Sequence, residues 1–343
     1  MLSRDFGGIQ QSFLDYNKAL SLLDHDVIAI TSTDAAVNDS IDIKNYNLPN
    51  LFSFDPVSKF LLWRLIKREK PDIVIAHGTR AMNFTFAANR FIANPPVLIG
   101  VAHNYWYKPL LKCDYVFSIT NHLKVFLISQ GIKDDLIFHM PNIIDINSYS
   151  SNITKIPPKG NKEVRVGVLA RFVHKKGVDV FIRAIKLLKD RGINIRAKIG
   201  GDGEERGKLE ALTKNLGLED NVTFVGWVSD RLQFFSDIDI VCIPSREEPF
   251  GITILEAALN QTPMISTKTV GALEIFENIK NIELVDIDSP NQIALSVEHL
   301  IKNKEYAKES VKSALKRVRE NYDTKDSATR LQKYIAKIKE NDI

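Results

Sequence analysis

The segment SREEPFGITILEAA, Ser245 to Ala258, holds glutamates in two settings. Glu247 and Glu248 stand before Pro-Phe-Gly, and Glu256 follows Glu248 by eight positions, among Ile252, Leu255 and Leu259. A carboxylate buried among such side chains costs roughly several kcal/mol unless a partner compensates it. The preceding DIVCIP reads as a strand and the following ITILEAALN as a helix. Gly251 permits a tight turn between them, so the first helical N–H groups, at Gly251 and Ile252, point freely toward the strand end. That is an anion site by geometry and dipole. Glu248 enters it from the loop, and Glu256 projects from the helix. There a glutamate can accept hydrogen bonds from sugar hydroxyls, the ribose pair beside a bound phosphate being the obvious target. The alternative is a solvated loop pair, with Glu256 salt-bridged to a neighbour.

Other stretches carry compatible chemistry. VGVLARFVHKKGVDVFIRA places Arg171 and Lys176 at a strand end before a helix. Two such cations would hold a diphosphate, Arg by its fork and Lys as a point charge; otherwise they decorate a surface loop. IGGDGEERGKLE, beginning at Ile199, tests a dinucleotide site. Counted from Gly201, the fingerprint G-x-G-x-x-G needs a glycine where Arg206 stands, and Gly207 comes one residue late. The NAD reading is weak. DFGGIQQSF sets Gly7 and Gly8 before a helix, letting backbone N–H groups approach a phosphate. His103 and His77 each close an apolar run, and a lone histidine there is most often a satisfied polar group.

The elements that must position these residues alternate between apolar runs and helical periods, twice over. Strands are expected at Val27–Thr31, Asp72–His77, Pro96–His103, Tyr115–Thr120 and Ile137–Met140 in the first half. The second half adds Val164–Ala170, Ile193–Gly200, Asn221–Trp227, Asp239–Pro244, Pro263–Thr267 and Ile282–Ile287. Strands apolar throughout suggest parallel sheets covered on both faces. Helices are expected over Val57–Lys70, Arg80–Phe91 and about Gly177–Asp190, with polar-rich helices from about Pro290 to Glu340. The Ser-, Asn-, Pro- and Gly-rich stretch Asn147–Lys162 reads as a linker. The fold class is therefore α/β, with two Rossmann-like domains facing across a cleft. Residues 1–150 form the first, 163–322 the second, and 323–343 a C-terminal helix that packs back on the first.

Composition narrows the class further. The length of 343 residues suits two domains, and a net charge of +4 is too small to argue for nucleic acid. Two cysteines, far apart, give neither a disulfide framework nor zinc spacing. No apolar run reaches the roughly 18 residues that span a bilayer. The expectation is a cytoplasmic protein.

The run PSREEPFGITILEAALNQTPMISTKTVGALEIF resembles the E-x7-E donor segment of the retaining GT-B glycosyltransferases of family 4, with Pro249, Phe250, Gly251 and the Glu-Ala step in register. The resemblance implies that Glu248 contacts the donor sugar and Glu256 the nucleotide ribose. It implies that Arg171 and Lys176 bind the diphosphate, that Gly201 lies in the turn lining the nucleotide pocket, and that Gly8 touches the donor. It raises His103 to a residue near the donor sugar and leaves His77 structural or acceptor-side. MPNIIDINSY fits the family's Pro-Asn turn at Asn142, although Ile143 replaces the usual glycine and makes a φ > 0 turn there doubtful. The implied activity is transfer of a hexose from a nucleotide-diphosphate sugar to a glycan or glycolipid, in cell-envelope (lipopolysaccharide core) biosynthesis. No metal or other cofactor is implied. A nucleotide-sugar epimerase would need acids over the sugar C2, and no such pair is found. A non-catalytic nucleotide-sugar-binding protein would not need all four of Glu248, Glu256, Arg171 and Lys176.

Two further expectations concern the first half. VSKFLLWRLIKREK, Val57–Lys70, is basic and amphipathic: its apolar face suits a sheet, and its basic rim suits an anionic membrane on the inner face of the plasma membrane. Members of the family also begin with an apolar strand leading into the Gly-Gly turn. Only MLSRDF precedes Gly7 here, too short and polar for it. A gap in the first sheet is expected.

Overall fold

A computed structural model describes residues 1–2, 7–52, 54–149, 154–158 and 162–342. It separates into one compact unit of Met1–Asp145 with Asn321–Ile343, and a second of Ile146–Glu320. Asp5 and Phe6 of the Gly-Gly segment lie outside the described residues, as does part of the expected linker.

In the first unit, α1 (Gly8–Ser21) precedes β1 (Ala29–Ser32) and β2 (Asn45–Leu48). Then follow α2 (Pro56–Glu69), β3 (Ile73–His77), α3 (Thr79–Asn89), β4 (Val97–Ala102), β5 (Tyr115–Ser118), α4 (Asn121–Ser129) and β6 (Ile137–His139). All its strand pairs are parallel, but they form two sheets: β1-β2, and β3-β4-β5-β6 in that order. The β2 segment, NYNL, was not expected as a strand, because its polar residues lack the apolar run that flags a buried one.

Local signals explain the helices. The Asp55 carboxylate accepts from the N–H groups of Val57 (2.9 Å) and Ser58 (3.2 Å), and Pro56 opens α2. Leu62, Leu65 and Ile66 then fall on one buried face. The helix stops where Lys70 turns left-handed at φ 48°. Thr120 caps α4 in the same way, through Leu123 N–H at 3.2 Å. The C-terminal helix, Thr324–Asp342, belongs to this unit; there the Ile144 N–H reaches the Tyr322 carbonyl at 2.9 Å and the Tyr334 hydroxyl reaches the His139 carbonyl at 2.9 Å.

The second unit holds β7 (Val164–Leu169), α5 (Val178–Asp190), β8 (Ile195–Gly200), α6 (Arg206–Asn215), β9 (Val222–Gly226) and α7 (Arg231–Ser236). It continues with β10 (Ile240–Ile243), α8 (Ile252–Leu259), β11 (Met264–Thr267), α9 (Val270–Ile275), β12 (Glu283–Val285), α10 (Pro290–Lys302) and α11 (Lys304–Asn321). The six strands form one parallel sheet in the order β12-β11-β10-β7-β8-β9. The chain therefore steps outward from β7 to one side and then returns to β10 on the other. That reversal makes the C-terminal ends of β7 and β10 a topological switch point, where open α/β sheets bind ligands. Val166, Val168, Phe181, Ile185, Ile199 and Ile240 are among the side chains that fill the core of this unit. Cys242 is buried within β10, Cys113 is partly buried in the first unit, and neither is disulfide-bonded.

Candidate active site

The loops leaving β7 and β10 are stitched together. Backbone N–H groups of Arg246 and Glu247 donate to the Lys175 carbonyl at 2.8 and 3.1 Å. The Arg246 guanidinium forks onto Asp179 with two 2.8 Å bonds and also reaches Asp288 and the His174 carbonyl. Burial alone would raise the Asp179 pKa, but the Arg246 fork outweighs it and holds the carboxyl below its usual range. Glycines allow the close approach: a Cβ on Gly177 (φ +64°) would lie 2.0 Å from the Pro244 carbonyl oxygen, and one on Gly201 (φ +132°) 1.8 Å from that of Ala170.

On this frame Lys176 donates to Glu248 in a half-buried ion pair. Arg171 lies on the same β7 loop, exposed, and among the described residues it has no ion pair. Gly251 takes φ 106° and caps α8, so Ile252 opens that helix. The Gly271 N–H holds the Glu248 carbonyl at 3.1 Å, which fixes the loop from the α9 side. Arg171, Lys176, Gly201, Glu248, Gly251 and Ile252 thus gather at the strand ends of one sheet.

Glu256 has the partner that its burial demands. Its side chain is 5% exposed and accepts from the Arg231 guanidinium at 2.8 Å. Burial pushes its pKa up, against the opposing pull of Arg231 and a hydrogen bond with Tyr149. The structure thus gives Glu256 the salt bridge that the sequence left as one of two alternatives. Arg231 is the residue that sequence reasoning missed. Its signal was SDRLQ after β9: Asp230 caps α7 by accepting from Gln233 N–H at 2.8 Å, which seats Arg231 as its first residue.

Gly8 and His103 belong to the first unit. Gly8 opens α1 with no side-chain cap. His103 follows β4, and its Nε2 lies 3.2 Å from Nδ1 of His77, the last residue of β3, so the two histidines form one pair. Phe13 and Tyr16 meet the His77 ring edge-on. Asn142 is buried and accepts from the Ser12 hydroxyl at 3.2 Å, tying the Pro-Asn turn to α1. Ile143 is not among the residues with positive φ.

Residues 150–317 match the family described as glycosyl transferases group 1, and residues 6–148 match glycosyltransferase family 4. An uncharacterized glycosyltransferase of Methanocaldococcus jannaschii is 34% identical over 325 residues, covering 82% of this chain and 83% of its own. The chain belongs to the glycosyltransferases. The lipopolysaccharide core biosynthesis glycosyltransferase LpsE of Rhizobium meliloti is 32% identical to it over 133 residues, 39% of this chain and 38% of the relative. Anabaena HepE, solved in complex with UDP and glucose, superposes with a TM-score of 0.81 at 20% identity over 98% of both chains. The glycosyltransferase thus has the GT-B architecture of two Rossmann-like domains.

The histidine pair of this glycosyltransferase has a consequence for stability. Burial pushes the His103 pKa down to about 4 and, with His103 and the Met1 amino group nearby, drives that of His77 well below 6.5. Unfolded histidines take up protons below about pH 6.5, whereas folded His103 resists until about pH 4 and His77 is held neutral in the same direction. Stability of the first unit is therefore fully present above pH 6.5 and should fall by about 1–3 kcal/mol as the pH drops toward 4. Chemical denaturation between pH 7 and 4 would measure this. His103→Gln should flatten the slope, and an unchanged slope would assign it to other groups.

Proposed function

We propose that this glycosyltransferase is a retaining enzyme that moves a hexose from a nucleotide-diphosphate sugar to a hydroxyl of a cell-envelope glycan or glycolipid. The observation that carries the reading is the cluster at the β7–β10 switch point. Exposed Arg171, Lys176 paired with Glu248, and the uncapped N-terminus of α8 supply positive charge beside a carboxylate. A leaving diphosphate needs the first and a sugar hydroxyl the second. In this reading Arg171 and Lys176 bind the diphosphate, Glu248 the sugar, and Glu256 the ribose, oriented by Arg231. Gly201 lines the nucleotide pocket, and Gly251 with Ile252 offers N–H groups to the phosphates. Gly8 and His103 are assigned to substrate contacts on the first unit. As the bond from the sugar C1 to the phosphate oxygen breaks, the acceptor oxygen bonds C1 on the same face. Its proton passes to the departing phosphate. LpsE, named for the lipopolysaccharide core, supports an envelope acceptor, and the UDP-and-glucose complex of HepE supports a nucleotide-sugar donor.

The test is a panel of UDP-, GDP- and ADP-sugars. One of them should raise the melting temperature and be consumed with an envelope acceptor, and EDTA should leave turnover unchanged. Strict dependence on Mg²⁺ or Mn²⁺ would remove the metal-free mechanism, and an inverted anomer in the product would remove retention.

We also propose that α2 and the loop before it rest on anionic lipid. No helix among the described residues is long and apolar enough to cross a membrane. Yet Phe52, Phe54 and Phe60 are exposed, Phe54 to 79%. Lys59 lies over Phe54 at 5.6 Å, Arg64 over Phe60 at 6.0 Å and Lys67 over Trp63 at 4.8 Å. Apolar rings interleaved with cations suit a headgroup layer. Changing Lys59, Arg64 and Lys67 together to Gln should reduce co-sedimentation with phosphatidylglycerol vesicles at least tenfold, at about 1 kcal/mol per charge. Equal sedimentation of both proteins would discard the proposal.

A further inference from the structure

Glu256, which the proposed function gives to the donor ribose, shares its carboxylate between two donors from distant parts of the chain. Arg231, at the start of α7, reaches Oε2 at 2.8 Å. The other donor is the Tyr149 hydroxyl. Tyr149 follows a single 3-10 turn, Ile146–Ser148, and its own N–H closes that turn on the Ile146 carbonyl at 3.2 Å. The second unit begins at Ile146, so this tyrosine stands at its very start.

The same segment is fastened again a few residues on. The Lys155 N–H donates to the Gln261 carbonyl at 3.0 Å, and the Thr154 hydroxyl to the Gln261 side-chain oxygen at 2.7 Å. The Lys155 ammonium bonds the Phe235 carbonyl and, at 2.9 Å, that of Ile238. Gln261 lies two residues past α8, and Glu256 is the fifth residue of that helix and its one acid. Residues 154–155 are therefore held at the end of α8 by several bonds, while Tyr149 meets the middle of the helix through a neutral hydroxyl.

A ribose hydroxyl would come to Glu256 as an O–H donor to a carboxylate, which is the bond that Tyr149 makes. A carboxylate has lone pairs for about four donors, so its capacity is not the limit. Access is the limit, because the side chain is only 5% exposed. A ribose must therefore displace something. Removing Arg231 would leave a buried charge uncompensated. Tyr149 is neutral and half-buried, and another hydroxyl replaces its bond like for like.

We propose that Tyr149 is an internal occupant of the ribose subsite, which its hydroxyl yields when the hydroxyls of the donor ribose take over the bond to Glu256. The inference rests on the assignment of Glu256 to the ribose. Coupling then runs both ways: the nucleotide loosens the turn at Ile146–Tyr149, and loss of the phenol hydroxyl tightens the nucleotide.

The experiment is calorimetric titration of the full chain with UDP, GDP and ADP, and with the 2′,3′-dideoxy form of whichever binds. The proteins are the wild type, Tyr149→Phe and Glu256→Gln. Tyr149→Phe should bind the nucleotide at least tenfold more tightly, as expected when a competing hydrogen bond to a charged acceptor is lost. Its affinity for the dideoxy form should stay within twofold of the wild type, because that ligand has no hydroxyl with which to displace the phenol. Hydrogen exchange gives a readout that a packing role would not move. The nucleotide should speed exchange of the Tyr149 amide at least fivefold while slowing exchange in α8. Unchanged or weaker nucleotide binding by Tyr149→Phe, at an unchanged melting temperature, would overturn the proposal. So would an equal gain for the dideoxy form, or slower exchange at Tyr149. Glu256→Gln separates the two possible failures. If it leaves affinity intact, or if no nucleotide binds the wild type, the ribose assignment falls and the proposal with it. If it weakens binding while Tyr149→Phe changes nothing, the assignment stands and the proposal alone falls.

Discussion

Arg231→Ala should lower the unfolding free energy of the second unit by about 2–4 kcal/mol at neutral pH, because it leaves the Glu256 carboxylate buried without its cation. The guanidinium is about one-third exposed and the carboxylate 5%, so most of the penalty falls on the glutamate. Glu256→Gln should cost less, about 1 kcal/mol, since an amide is cheaper to bury than an ion. The double variant should then be more stable than Arg231→Ala alone. Urea unfolding of the four proteins closes the cycle, and a double variant as unstable as Arg231→Ala would trace the loss to packing. The pH dependence gives a second check with a definite sign. Burial raises the folded pKa of Glu256, and without Arg231 nothing of comparable strength opposes that rise. The penalty in Arg231→Ala should therefore shrink as the pH falls through the unfolded value of 4.5, well below which the carboxyl is protonated in both states.

Lys176→Ala and Arg171→Ala should each reduce kcat by about 10²–10³-fold, or about 2.7–4 kcal/mol, with a smaller change in KM for the donor. Negative charge grows on the diphosphate only as the bond to the sugar breaks, so a cation placed there acts more on the transition state than on the bound donor. Lys176→Ala also frees Glu248, whereas Arg171→Ala breaks no ion pair among the described residues. Steady-state rates at saturating donor distinguish the cases. A rise in KM with kcat intact would make these cations ground-state anchors.

Much of the second sheet was legible in the sequence because its strands are apolar runs, as in β10 and β11, or apolar residues alternating with polar ones, as in β8, and the loop after β10 announced itself through Glu248, Pro249 and Gly251. What was not legible depends on contacts between distant positions. The Arg231–Glu256 pair spans 25 residues, and no local pattern links them. The His77–His103 contact follows from register: His77 sits opposite Val101 in the β3–β4 ladder, so His103 emerges just beyond that partner. The polar β2 was invisible for a simpler reason. Asn45 and Tyr46 are only partly covered and Asn47 is exposed, so the strand lacks the apolar run that marks a covered one. The polar tail from Pro290 reads as helices, the last of them from 323, and the structure has helices that break at Asn303 and at Tyr322–Asp323.

The two thiols give the chain a chemically quiet background. Burial, with Asp114 adding to it, pushes Cys113 up to about 12, and burial alone raises Cys242 further from neutrality. Thiolate is the form that alkylating reagents capture, so neither native cysteine should label quickly at neutral pH. A single cysteine introduced at exposed Lys175 would then take a fluorophore alone. Its backbone carbonyl is where the β7 and β10 loops are joined, so the dye would report any movement of that junction without a second signal to subtract.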